Sequence, residues 1–221
     1  PVLEKKKIPL GIVTGIRGSF RFRDAFCKGE YLHSGATPYD YRKDSVVAVS
    51  NLVNEMNIFW KAQLKKNKDL VITFGQFFTD NEEHSFAKSS GLVNFCIDVR
   101  SNSKNTLEYT KKILIKKIRL IEKQTKTKFF LGKETNSEPA LMDKKLIKKF
   151  QIYSKMISMK FETMASGAGH DASIFANYGI PSLMLFIRNK NGSHNPKEYM
   201  SIKNFEEVLK VLKGIIKDKY I

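Results

Sequence analysis

Apolar and polar positions alternate in some stretches of this chain and recur at helical spacing in others. In IRGSFRFRDAF (16–26) the alternation around Phe20 and Phe22 predicts a strand. A turn-rich segment, HSGATPYDYRKD, follows it. Val46, Val49, Leu52, Val53, Met56 and Phe59 then fall at helical spacing, which predicts an amphipathic helix to about Leu64. DLVITFGQFF (69–78) reads as a second strand and LVNFCIDVR (92–100) as a third. In the third, Val93, Phe95, Ile97 and Val99 face one way and Asn94, Cys96, Asp98 and Arg100 the other. A helix from Leu107 to about Lys123 and a fourth strand, TKFFLGKE (127–134), complete a strand–helix–strand–strand–helix–strand order. That is the split βαβ, ferredoxin-like arrangement, one sheet with both helices on one face. Its other face is left for a lid function or for dimerisation.

The pattern changes after NSEPALMD. A lysine-rich helix (143–158) leads through MASGAGHDASIFANYGIP to SLMLFIR (182–188), an apolar run without alternation. Such a run between helices reads as an interior parallel strand covered on both faces. Phe205, Val208, Leu209, Leu212, Ile215 and Ile216 form the stripe of a last helix. One or two strands are too few for a sheet, so this part reads as about half of a larger α/β domain.

Composition changes the picture little. The 221 residues suffice for one large or two modest domains, and no apolar run is long enough to span a membrane. The formal charge of +17 raises nucleic acid as a partner. The lysines, however, alternate with apolar residues on helices, as in KKILIKKIRLIEK, where they form a solvated face, and the Lys, Ile, Asn and Phe bias is that of an AT-rich genome. Cys27 and Cys96 make no CxxC and read as reduced thiols of a cytoplasmic protein. PVLEKKKIPLGIV has no signal-peptide pattern, and its initial proline is consistent with a piece of a longer product.

Several motifs each admit two readings. SGAGHDAS (166–173) puts small residues before a short helix, either to let backbone approach a ligand or to form a tight turn capped by Asp171. His194, beyond the carboxyl end of SLMLFIR, is either a metal ligand or a hydrogen-bonding surface residue. His33 in LHSGATP is equally ambiguous, and Arg100 has Asp98 available as an ion-pair partner. The aromatics of RGSFRFR fit core packing or the stacking face of an RNA-recognition sheet, although the glycine pattern of that fold is absent.

Together, GIVTGIRG, HSGATPYDYRKDS, FCIDVRS, SGAGHDASIFAN, GIPSLMLFIRN and GSHNPKE resemble, over nearly the whole chain, the zinc-dependent amidohydrolases of the aminoacylase and carboxypeptidase superfamily. The most similar branch holds N-carbamoyl-L-amino-acid hydrolases, allantoate amidohydrolases and β-ureidopropionases. The resemblance implies a ferredoxin-like lid and dimerisation domain over 12–135, inserted in an α/β metallohydrolase domain whose parts here are 1–11 and 136–221. It makes His194 the last metal ligand and His33 the lid histidine that stabilises the oxyanion in a neighbouring subunit's site. Arg100 becomes the grip on the substrate carboxylate, a bidentate task suited to guanidinium. Gly167, Ala168 and Gly169 would line the same substrate end, with His170 beside them. The family's Asn before a Pro-Gly turn is absent from HSFAKSSG, where His84 stands in its place, and Tyr39 replaces a Met.

The family binds two zinc ions, or manganese or another divalent metal. Its other four ligand positions and its glutamate base precede the stretch that resembles PVLE. A catalytic zinc needs about three protein ligands, so this chain alone is expected to bind no metal tightly and to be inactive without an N-terminal half. The expectation is a partial amidohydrolase for a carbamoyl or ureido C–N bond of a small carboxylate, homodimeric through the lid, with a separate N-terminal chain as a further partner. The alternatives are a non-catalytic dimerisation module and an RNA-binding sheet that uses Phe20 and Phe22.

Overall fold

A computed structural model describes residues 2–217. In chain order the elements begin with α1 (Val2–Lys6), β1 (Leu10–Ile16), β2 (Gly18–Lys28), α2 (Ser45–Lys65), β3 (Val71–Thr73) and β4 (Phe77–Thr79). β5 (Leu92–Ser101), α3 (Lys104–Thr125), β6 (Lys128–Phe130) and β7 (Glu134–Ser137) follow. The chain ends with β8 (Ala140–Leu141), α4 (Lys144–Met156), β9 (Phe161–Ser166), α5 (Ala172–Asn177), β10 (Leu185–Ile187) and α6 (Ile202–Lys217). They form two compact units, one of Gly18–Glu138 and one that joins Pro1–Arg17 to Pro139–Ile221. The expected boundaries at 12 and 135 thus differ from the structural division at 18 and 138. β1 causes the shift, because its hydrogen-bonded partners β8, β9 and β10 all lie late in the chain.

The Gly18–Glu138 unit is the ferredoxin-like sheet in the antiparallel order β3-β5-β2-β6. Alternation does what the sequence predicts: Val93, Phe95, Ile97 and Val99 are buried with Phe20, Phe22, Leu52, Met56, Leu114 and Ile118 in one core. Asp44 caps α2 by accepting from the N–H groups of Val46 and Val47, and Ser103 caps α3 through Thr106. Two expected strands are each broken in two. Over 74–76 the chain leaves the ladder between β3 and β4, both of which pair with β5. β6 and β7 are separated at Gly132, whose φ of +70° places a hypothetical Cβ 3.2 Å from the Asp24 carbonyl oxygen. Asp24 lies in the bulge of β2 between Phe22 and Ala25, so bulge and break face each other. Phe20 and Phe22 are 3% and 5% exposed beneath the helices, which removes them as a base-stacking pair.

In the other unit β1 is central. It pairs in parallel with β9 and antiparallel with β8 and β10. The expectation of an interior parallel strand over 182–188 is therefore corrected: β10 is three residues long, antiparallel and half-buried. The unalternating run reports burial on two faces and says nothing of direction. Leu185 and Ile187 face the cluster of α4 and α6, whereas Met184 and Phe186 face the cluster that includes Ala172 and Ala176 of α5. On α6 the buried stripe is Val208, Val211 and Ile215, and Phe205 and Ile216 are exposed. Among the described residues no helix is long and apolar enough to cross a membrane.

Candidate functional site

His33 lies in a turn wrapped around its own imidazole. Nδ1 accepts from the N–H groups of Gly35 (3.2 Å) and Ala36 (3.1 Å), so in the neutral ring the proton is on Nε2, which is left as an outward donor. Arg42, a residue the sequence reading passed over, fastens the turn by donating from Nε to the Thr37 carbonyl at 3.0 Å and from Nη2 to that of Ser34. The turn is also tied to the segment carrying His84. His33 bridges Lys88, Ser34 N–H donates to Ala87 O and Ser89 N–H to Leu32 O. His84 Nδ1 lies 2.8 Å from Thr79 Oγ1 and, with Lys88, Ser89 and Asp44, lines a cavity of about 410 Å³. Nearby, the Glu82 N–H and the Tyr31 hydroxyl hold the Asp80 carboxyl below its usual range. Burial, with help from Asp80, pushes the Tyr31 phenol up to about 12.

Arg100 is elsewhere on the same sheet. Its Nε and Nη2 both donate to Asp98 Oδ2, at 3.0 and 2.6 Å, while Arg21 Nε reaches Asp98 Oδ1 at 3.3 Å. The ion pair read as the plain alternative is thus present, on the sheet face opposite the helices. Arg100 closes one end of β5 and pairs across to Ser19. The His33 segment adjoins the other end through Ser89 and Gly91. At about 3.3 Å per strand residue, the seven steps from Val93 to Arg100 put more than 20 Å between those ends.

The remaining expected residues belong to the unit built on β1. Ser166 ends β9, and Gly167, Ala168, Gly169 and His170 form the loop to α5. Asp171 precedes α5, but its side chain makes no capping bond. Parallel pairing of Ile16 with Ser166 puts the C-terminal ends of β1 and β9 side by side, and a Cβ at Gly167 would stand 3.6 Å from Arg17 Nη1. His194 follows β10 with φ +60°, in the left-handed region that disfavours a side chain, just after Asn191 (+66°) and Gly192 (+72°). Asn195 Nδ2 donates to Asn191 O, and Asn191 Nδ2 to Lys197 O, so the loop holds itself. At the base of that loop Arg188 donates to Glu4 at 2.7 Å and keeps its carboxyl below the usual range.

The structure brings His33 near the His84 segment within one unit, and the 166–170 residues together within the other. Among the described residues no three His, Cys, Asp or Glu side chains converge in a way that could hold a metal ion.

The Peptidase family M20/M25/M40 matches residues 2–218. The chain belongs to that family. The family is generally metal-dependent. The chain is 32% identical over 212 residues to an allantoate amidohydrolase of Escherichia coli (strain K12), covering 96% of this chain and 50% of that protein. It is 31% identical over 223 residues to an N-carbamoyl-L-amino-acid amidohydrolase of Pseudomonas sp. (strain NS671), covering 98% and 51%. Its fold is similar to that of an amidase of the hydantoinase/carbamoylase family from Burkholderia multivorans, with a TM-score of 0.84, 24% identity and coverage of 96% and 50%. The chain spans about half the length of the curated relatives it matches.

Proposed function

We propose that this chain is the lid and C-terminal catalytic part of an amidohydrolase that cleaves a carbamoyl or ureido C–N bond in a small carboxylate. The observation that carries the reading is the family match over residues 2–218, together with relatives named for allantoate and N-carbamoyl-L-amino acids along 96–98% of the chain. In this reading Gly18–Glu138 is the lid. His194 is one ligand of a site, for zinc or manganese, whose other ligands come from an N-terminal segment that is not among these residues. The metal, when bound, would activate the attacking water.

His33 would donate from Nε2 to the oxyanion that forms on the substrate carbonyl. Arg100 would bind the substrate carboxylate, exchanging Asp98 for it, with Gly167, Ala168, Gly169 and His170 along the same substrate end and His84 beside the lid histidine. Because Arg100 and His33 stand at opposite ends of β5, one small substrate cannot touch both in one chain. That separation supports a homodimer in which the partner's lid completes the site. Edge strands β3 and β4, with Phe77 and Phe78 exposed, are the pairing surface we favour. Two free cysteines support a cytoplasmic setting.

Release of ammonia from allantoate and from N-carbamoyl-L-amino acids tests the reading. The purified chain should give none with Zn²⁺ or Mn²⁺, and should gain turnover when combined with the N-terminal half of an allantoate amidohydrolase. Turnover by the chain alone with added metal would refute the divided site. A second reading, a metal-free dimerisation module, is favoured by the closed core of Gly18–Glu138; a stable dimer that never gains turnover in the combined assay would select it.

A further inference from the structure

The face of the Gly18–Glu138 sheet turned away from its helices carries an aromatic row. Ala25 and Cys27 are buried in the core, so Phe26 between them points to the other face, as Asn94 does between Val93 and Phe95. The register sets these residues side by side. Phe78 of β4 pairs with Asn94 of β5, Asn94 with Phe26 of β2, and Phe26 with Phe130 of β6. Phe26 and Phe130 stack with ring centroids 4.7 Å apart and planes 16° from parallel. Even so, Phe130 and Phe78 are 46% and 50% exposed, so each keeps open ring surface. The Asn94 amide, in the middle of the row, has no partner among the described residues. The exposed aromatic surface that Phe20 and Phe22 do not supply is therefore present on the opposite face.

Two residues along β2 from Phe26, and on the same face, Lys28 lies directly opposite Lys128 of β6; both are exposed. Like charges paired across a ladder repel, their Cβ atoms being about 4.5–5.5 Å apart. Neither lysine has an acidic partner among the described residues, and the neighbour of Lys28 on its other side is Leu92. An anion seated between the two ammonium groups removes that repulsion. At about 3.3 Å per residue the lysine pair is roughly 7 Å from the rings. Flat apolar surface beside paired cations matches a base joined to its phosphate. Phe78 is two strands from Phe26, about 10 Å at the usual strand spacing, so the row provides two separate stacking places. The row is also distinct from the Arg100 end of the sheet, because the steps from Asn94 to Arg100 span about 20 Å.

We infer that this face binds single-stranded nucleic acid, with unpaired bases stacked on Phe130 and Phe78 and a phosphate held between Lys28 and Lys128. Every base has a π-face, so stacking of this kind is tolerant of sequence while the cations follow the backbone. Asn94 supplies a donor and an acceptor for base edges. The net charge of +17 adds long-range attraction for a polyanion. A second copy of this chain on the same face would bring like charges together, and a carboxylate side chain meets the lysines but has no ring to stack. Pairing along the edge of β4 uses backbone groups and leaves the Phe78 ring on this face. The inference goes beyond the amidohydrolase reading and does not depend on it.

Fluorescence anisotropy of a labelled oligouridylate of about ten nucleotides, a length suited to one stacking sheet, tests this on the full chain. Binding should saturate, and log K should fall linearly with log salt. Phe130→Ala should weaken it at least about fivefold, the low end for one stacked base, and Phe130→Tyr, which keeps the ring, should restore it. Where Phe130→Ala lowers stability in urea, Phe78→Ala on the edge strand should show the same loss of affinity in a folded chain. Lys28→Gln and Lys128→Gln should each flatten the salt slope by about 0.7, the value for one phosphate contact on a single strand. Lys112→Gln with Lys116→Gln, which removes two exposed cations of α3, should weaken binding less than Lys28→Gln alone. An equal or larger loss in that α3 variant would mean diffuse charge and overturns the inference. So do full affinity in Phe130→Ala, equal competition by duplex RNA with its bases already paired, and no binding at about 10 mM salt, where screening is weakest.

Discussion

The two units differ in how completely they close on themselves. Gly18–Glu138 buries one continuous core between a sheet and two helices. The unit around β1 has two smaller clusters. It also leaves Ile174, Phe175, Tyr178 and Ile202 more than half exposed, at 57, 53, 83 and 76%. The lesson is that a sheet with every strand supplied within one stretch can finish its core, whereas one that borrows strands from both ends of the chain remains open.

The sharpest way to break this comparison is to separate the units. Residues 18–138 expressed alone should unfold in one cooperative transition in urea, while residues 139–221 alone, deprived of β1, should show no such transition; cooperative unfolding of both would end the contrast. Next in size is a core truncation. Phe95, 1% exposed and edge-to-face with Phe129, should cost about 3–5 kcal/mol when changed to alanine. Phe186→Ala, at a half-buried position, should cost less than half as much, and equal losses in denaturant titrations would argue that both cores are equally closed.

Alkaline pH provides a third measure. Burial pushes the Cys27 thiol from 9.0 to about 11. The unfolded chain thus loses this proton first, so stability is intact below about pH 9 and declines as pH rises towards 11. The loss should be at most about 2 kcal/mol and absent in Cys27→Ala. The smallest effects are at helix caps. Asp44→Ala in one unit and Asp143→Ala in the other, where Leu146 N–H is the donor, should each cost about 1 kcal/mol. A cap matters locally, so these two should agree even though the cores do not.

Much of the closed unit was legible because its periodicities are local. The inward residues of β5 and the apolar stripe of α2 were each set by their own alternation or helical spacing. The breaks at 74–76 and at Gly132 were not, because each answers to a neighbouring strand. The direction of β10 was also hidden: Leu185 and Phe186 record burial on two faces, and no pattern within SLMLFIR names β1 as its partner. At the candidate site His33 and Arg100 were legible as residues, but their separation along β5 is a property of the sheet.

The joint between the two units has a consequence for the history of such chains. Ser19 pairs with Ser137 on one side of it, and Ile16 with Ala140 on the other. Entry and exit are neighbouring strands in both units, so the inserted segment resembles a cassette with matched ends. Excising it would leave a gap that a tight hairpin can close, and a different cassette could be spliced in without rebuilding the sheet beneath.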